Sequence, residues 1–164
     1  MTVLDAPFIS ETRRNHALEH ATIHILSGRF PGRAMAGHSN PTGFFLIGDF
    51  PIEDIRDAAN EALARLQNGE SQLAIHAGCG TNYAVTGALA AFLAIAGLVG
   101  TKNTRQRFER FPLLMVFSIL AFVLGQPLGL ALQKQVTTQA DPQGLAIEDI
   151  YSLSKTIHRV VTHA

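Results

Sequence analysis

The chain has 164 residues, 47% hydrophobic and 16% charged, against roughly 25% charged in an average soluble domain. Thirteen Lys and Arg balance thirteen Asp and Glu, so the basic excess of a nucleic-acid binder is missing. The apolar content excludes a disordered tail protein. A single cysteine, Cys79, excludes a disulfide scaffold, and the length allows one modest domain with appendages.

In chain order, residues 1–82 predict a small α/β domain. A helix is expected over 10–26, with Ser10 as N-cap and Gly28 as its stop. Two short strands follow, over 33–38 and 43–47, joined by the turn residues Asn40, Pro41, Thr42 and Gly43. Pro51, Glu53 and Asp54 open a second helix, in which Ile52, Ile55, Ala59, Ala62, Leu63 and Leu66 keep the helical period. Asn68 and Gly69 end it. Residues 71–76 read as one more strand, leading to the turn Gly78-Cys79-Gly80.

Two charge-free stretches follow. No Asp, Glu, Lys or Arg lies between Glu70 and Lys102, and residues 83–100 are almost wholly apolar. Residues 111–133 form the second such stretch. A helix of roughly 20 residues crosses a ~30 Å hydrocarbon core, so 83–133 predicts a transmembrane helical hairpin with spans near 83–100 and 112–132. The 82 mostly polar residues ahead of it argue against a signal peptide. Gly87, Ala90, Ala94 and Gly97 form a small-residue stripe on the first span, and Ala121, Gly125 and Gly129 form one on the second. Such stripes let membrane helices approach closely. Pro127 is expected to kink the second span, with Gln126 satisfying freed polar groups.

The remaining segment, 134–164, opens with Asp141 and Pro142. It is expected to form an amphipathic helix with Ile147, Ile150, Leu153, Ile157 and Val160 on one side, docked on the N-terminal domain. The fold class is therefore α+β: a helix/β-hairpin/helix/strand domain, a two-helix transmembrane hairpin, and a C-terminal amphipathic helix.

The candidate chemistry lies in the first helix. His16 and His20, four apart, project from one helical face and can share a metal, with Glu19 beside them and His24 one turn further on. His16, Glu19 and His20 resemble the H-x-x-E-H pattern of the inverzincin metalloproteases, a likeness confined to these residues. It implies zinc on both histidines and Glu19 as the general base that activates water. A zinc site needs at least a third ligand. Glu61, Glu70 and His38 are weaker donors than His76 and Cys79, which flank a glycine-rich turn able to bring imidazole and thiolate to one ion. Four ligands make a closed, structural site, whereas three leave a position open for catalysis.

The stretch from Asn15 to His24 and the run Cys79-Gly80-Thr81-Asn82, followed by two spans, are similar to a family of small uncharacterised bacterial membrane proteins. That resemblance implies membrane residence but no activity. Two functional readings stand: a membrane-anchored metal-binding protein acting as a zinc-dependent hydrolase or peptidase, and a non-catalytic membrane assembly or partner-binding protein with a structural His cluster. The partners implied are membrane lipid, a membrane-protein or peptide partner, and a second copy of the chain. On location, Lys102, Arg105, Arg107 and Arg110 favour a cytoplasmic loop between the spans. Against that, a folded N-terminal domain of this length is hard to translocate, so a cytoplasmic N-terminal domain is expected.

Overall fold

The structure, a computed structural model, describes residues 2–163. Within them lie two compact units: residues up to His76 together with those from Lys134 onward, and Ala77–Gln133.

In the first unit, helix α1 (Pro7–Arg29) starts on Pro7, whose missing N–H falls where the helix needs none. Ser10 therefore lies inside the helix rather than capping it. The helix also runs through Gly28 to a Phe30 cap whose N–H bonds Leu26 O at 2.8 Å. Strands β1 (Ala36–Asn40) and β2 (Gly43–Ile47) pair as a hairpin, with β1 beginning three residues later than expected and taking Asn40 into the ladder. Its turn needs Gly43, whose φ is 129° and whose place leaves no room for a Cβ against the Val160 carbonyl. Helix α2 (Ile52–Gln67) buries Ile55, Ala58, Ala59, Ala62 and Leu66, the face read from its period. Gly69, at φ 89°, turns the chain out of it.

From the last turn of α2, Arg65 forks onto the Glu70 carboxylate at 2.6–3.1 Å and holds that carboxyl below its ordinary value. A lowered folded pKa gives stability above the unfolded value, ~4.3, that is lost as pH falls through the folded one. Glu70→Gln is therefore expected to lower the thermal midpoint slightly at pH 7. The gap to the parent closes on acidification, as paired melts across pH will show; a gap that widens contradicts the pairing.

Two elements differ from expectation. Residues 71–76 are no strand. Ser71–Ala74 form a 3-10 turn, and the carbonyls that a sheet ladder would have used, those of Ala74 and Ile75, accept instead from His20 and His24. Nor is the C-terminal segment an amphipathic helix. It forms strands β3 (Ala146–Ser152) and β4 (Ile157–His163). β-Branched and aromatic residues favour the extended state here. A bulge between Ile147 and Asp149 turns Ile147 and Ile150, three residues apart, to the same face, which mimics helical spacing.

The four strands make one antiparallel sheet in the order β1-β2-β4-β3. Phe44, Leu46, Ile150 and Val160 pack with Leu18, Leu26, Ile55 and Ala59 of the helices to form the core. Deep in this layer, buried Asn15 donates to Asn40 O and Pro41 O at 3.0 and 2.9 Å and accepts from Thr162 Oγ1 at 2.6 Å. One side chain thus ties α1 to the hairpin turn and to β4.

The second unit holds helix α3 (Gly80–Leu98), the short α4 (Thr104–Glu109) and α5 (Phe111–Leu132). Both α3 and α5 are long and apolar enough to cross a membrane, and only 17% of each apolar window is buried. Their length and composition are consistent with membrane association. Gly97 meets Leu114 and Phe117, Gly125 meets Thr86, and Gly129 meets Asn82. Gly87 is off this seam, with nothing near its Cβ position; the stripe read from small residues alone missed Thr86 and Asn82. Gln133 Nε2 donates to Asn82 Oδ1 at 2.7 Å, and Asn82 Nδ2 to Ala77 O at 2.8 Å. Helix α5 continues through Pro127, and Gln126 is exposed; the buried polar side chains of this unit include Asn82, Thr86 and Gln133.

Candidate metal centre

His16, His20 and His24 recur every four residues of α1, so their side chains advance by about 40° per step along one stripe. Each ring gives one nitrogen to a backbone carbonyl. His16 Nδ1 meets Thr137 O at 2.9 Å, His20 Nδ1 meets Ala74 O at 2.7 Å, and His24 Nε2 meets Ile75 O at 2.8 Å. A carbonyl oxygen only accepts, so each of these nitrogens carries the proton. In the neutral ring the other nitrogen then presents a lone pair. For His16 and His20 that nitrogen is Nε2. This is the arrangement in which ligating histidines are held, the outer N–H fixing both tautomer and ring orientation.

The rings stand close together. The centroids of His16 and His20 are 4.3 Å apart, and His76 lies 5.8 Å from His20 and 5.1 Å from His24. His20 is only 1% exposed, so its proton on Ala74 O is shielded from competing water. Arg13 reinforces the same wall, donating to Gln135 O and Thr138 O at 3.2 and 3.1 Å. The backbone that orients His16 is thereby itself held in place.

Glu19 is 4% exposed. Its carboxylate accepts from Ser39 Oγ and lies against Gly37 on β1. A Cβ at Gly37 would occupy the space of that carboxylate. Gly37→Ala is therefore expected to displace Glu19 and to destabilise the protein by about 1–3 kcal/mol through overpacking. Denaturant unfolding checks this, and an unchanged midpoint would mean that Glu19 is not confined as described.

Among the other donors weighed from sequence, His38 is exposed on β1. Glu61 pairs with Arg29 and Arg65, and Glu70 with Arg65, so arginines occupy both carboxylates. Cys79 belongs to the second unit, where its Sγ caps α3 by accepting from Thr81 N at 3.4 Å. The structure thus brings His16, His20 and His76 together with His24, and sets Glu19 toward the sheet.

Sequence reasoning missed Asn15 and Ser39. Asn15 had a readable signal, a poor helix former in mid-helix next to the His motif. The Ser39 link depends on which face of β1 meets α1, and no local pattern carries that.

A family model described as a domain of unknown function, DUF6391, matches residues 11–150. An uncharacterised protein of Picosynechococcus sp. (strain PCC 7002) is 35% identical over 152 residues, covering 84% of this chain and 70% of that protein. No solved structure matches.

Proposed function

Since the chain belongs to the DUF6391 family, a family of unknown function, we propose that this member is a membrane-anchored metal-binding protein with a zinc centre on α1. The observation that carries this reading is the paired N–H donation of His16 and His20 to backbone carbonyls. Both imidazoles are thereby fixed in the same tautomer, with Nδ1 carrying the proton, which is how ligating histidines are commonly oriented. The donor set fits zinc, which favours neutral imidazole and thiolate. His16, His20 and His76 would hold the ion. The sequence also offers the Cys79 thiolate, three residues beyond His76 on a glycine-containing turn.

Bound zinc supplies Lewis acidity. Glu19 is the residue assigned to proton transfer as the general base of a hydrolase or peptidase. The Ser39 hydroxyl fixes one of its oxygens and keeps the carboxylate from wandering. Anchoring in the membrane, by two passes, rests on the length and apolar surface of α3 and α5.

The same Ser39–Glu19 bond favours a second reading, in which Glu19 braces α1 on the sheet and the zinc centre is structural. Glu19→Gln separates the two. If the protein is a hydrolase, the variant keeps its zinc and loses turnover of a fluorogenic peptide library, by about 100-fold or more. If the parent protein cleaves nothing while carrying zinc, the structural reading holds. A variant that loses zinc contradicts both, because it would make Glu19 a ligand.

A further inference from the structure

The segment joining α3 to α5 is strongly basic. Lys102, Arg105, Arg107 and Arg110 fall within nine residues that hold one acid, Glu109, and neither flanking helix carries a charged side chain. All residues over 102–110 are exposed. Arg105 Nε bonds Glu109 Oε1 at 3.0 Å. Among the described residues, no carboxylate lies within ion-pair reach of Lys102, Arg107 or Arg110.

Two large rings stand among these cations, Phe108 at 75% and Phe111 at 59% exposure. A solvated charge run on a soluble protein has no reason to hold out two phenylalanines. At the end of two apolar helices, cations and aromatic rings meet the layer where phosphates lie above the hydrocarbon.

We propose that this loop is a binding site for anionic phospholipid headgroups, with Lys102, Arg107 and Arg110 on the phosphates and Phe108 and Phe111 seated in the interfacial layer. The inference rests on the membrane-anchored reading. An acidic protein partner would match the charge but not the continuity with two lipid-solvated helices.

The test uses the full chain in detergent, titrated with phosphatidylglycerol or phosphatidylcholine, with retained lipid counted by native mass spectrometry. The parent is expected to retain phosphatidylglycerol at least about tenfold better. Each neutralisation among Lys102→Gln, Arg107→Gln and Arg110→Gln should weaken that retention by roughly fivefold, the fold-change for one basic residue at an anionic surface. The triple variant should lose the preference, and circular dichroism should show its helix content unchanged.

Equal retention of both lipids by the parent overturns the proposal, as does an undiminished preference in the triple variant. So does displacement of the lipid by an equal concentration of inorganic phosphate, which would mean a site for soluble phosphate. These outcomes leave the anchoring reading intact. That reading fails separately if the protein stays in solution as a compact monomer without detergent, and the lipid proposal falls with it.

Discussion

If the proposed zinc centre is present, His20→Ala is expected to strip the purified protein of it, weakening metal affinity by more than the 10–100-fold typical of losing an outer-shell partner alone. His20 is the most enclosed of the four rings, and it supplies both an Nε2 donor and the N–H that satisfies Ala74 O. Truncation removes the ligand and orphans a buried carbonyl, a cost of about 1–3 kcal/mol. His38→Ala is the control, because that ring is exposed on β1 and away from the carbonyl wall. Chelator competition followed by absorbance should separate the two variants clearly. Equal affinities in both would contradict a centre on α1.

Gly129→Leu is expected to force α5 off α3. A Cβ at position 129 would lie within 3 Å of the Asn82 Cα, and one at Gly125 would crowd the Thr86 Cα at 2.9 Å. Backbone cannot yield there as a side-chain tip can. In lipid no hydrophobic force presses two helices together, so close packing is most of what holds the pair. The intruding side chain also dislodges Asn82 from its bond to Gln133. An overpacking cost of about 1–3 kcal/mol corresponds to a midpoint drop of ~2–12 °C in detergent at 2–4 °C per kcal/mol. Gly87→Leu, the control, should melt with the parent, since its Cβ position is open. If both variants melt alike, the seam is misassigned.

The sequence carried some of this structure plainly and hid the rest for physical reasons. Helix α2 was readable because one apolar stripe, acids in its first turn and a glycine stop all agree. The β1–β2 hairpin was readable from turn residues whose conformation Gly43 alone tolerates. The two apolar helices were readable from the absence of charge. What failed was tertiary in origin. A bulge in β3 gave a strand the spacing of a helix, and residues 71–76 gave up strand geometry because histidines claimed their carbonyls. The seam between α3 and α5 was half legible: the glycines of α5 were read correctly, but on α3 the partners are Thr86 and Asn82, which a search for small apolar residues passes over.

At the site, helical spacing was enough to align His16 with His20. It could not supply the carbonyls of Thr137 and Ala74, which lie 121 and 54 residues away in the chain. Nor could it show that Glu19 turns toward Ser39. The sequence thus points to the histidine stripe, and the fold supplies the carbonyls that orient its rings.

The zinc content of the parent protein tests the central claim most directly. Elemental analysis of detergent-purified, full-length chain, never exposed to chelator or affinity metal, should find about one zinc per chain, and EDTA-stripped protein should take the same amount back. Protein that carries no zinc as purified, and binds none on titration, contradicts the metal centre and the hydrolase reading together.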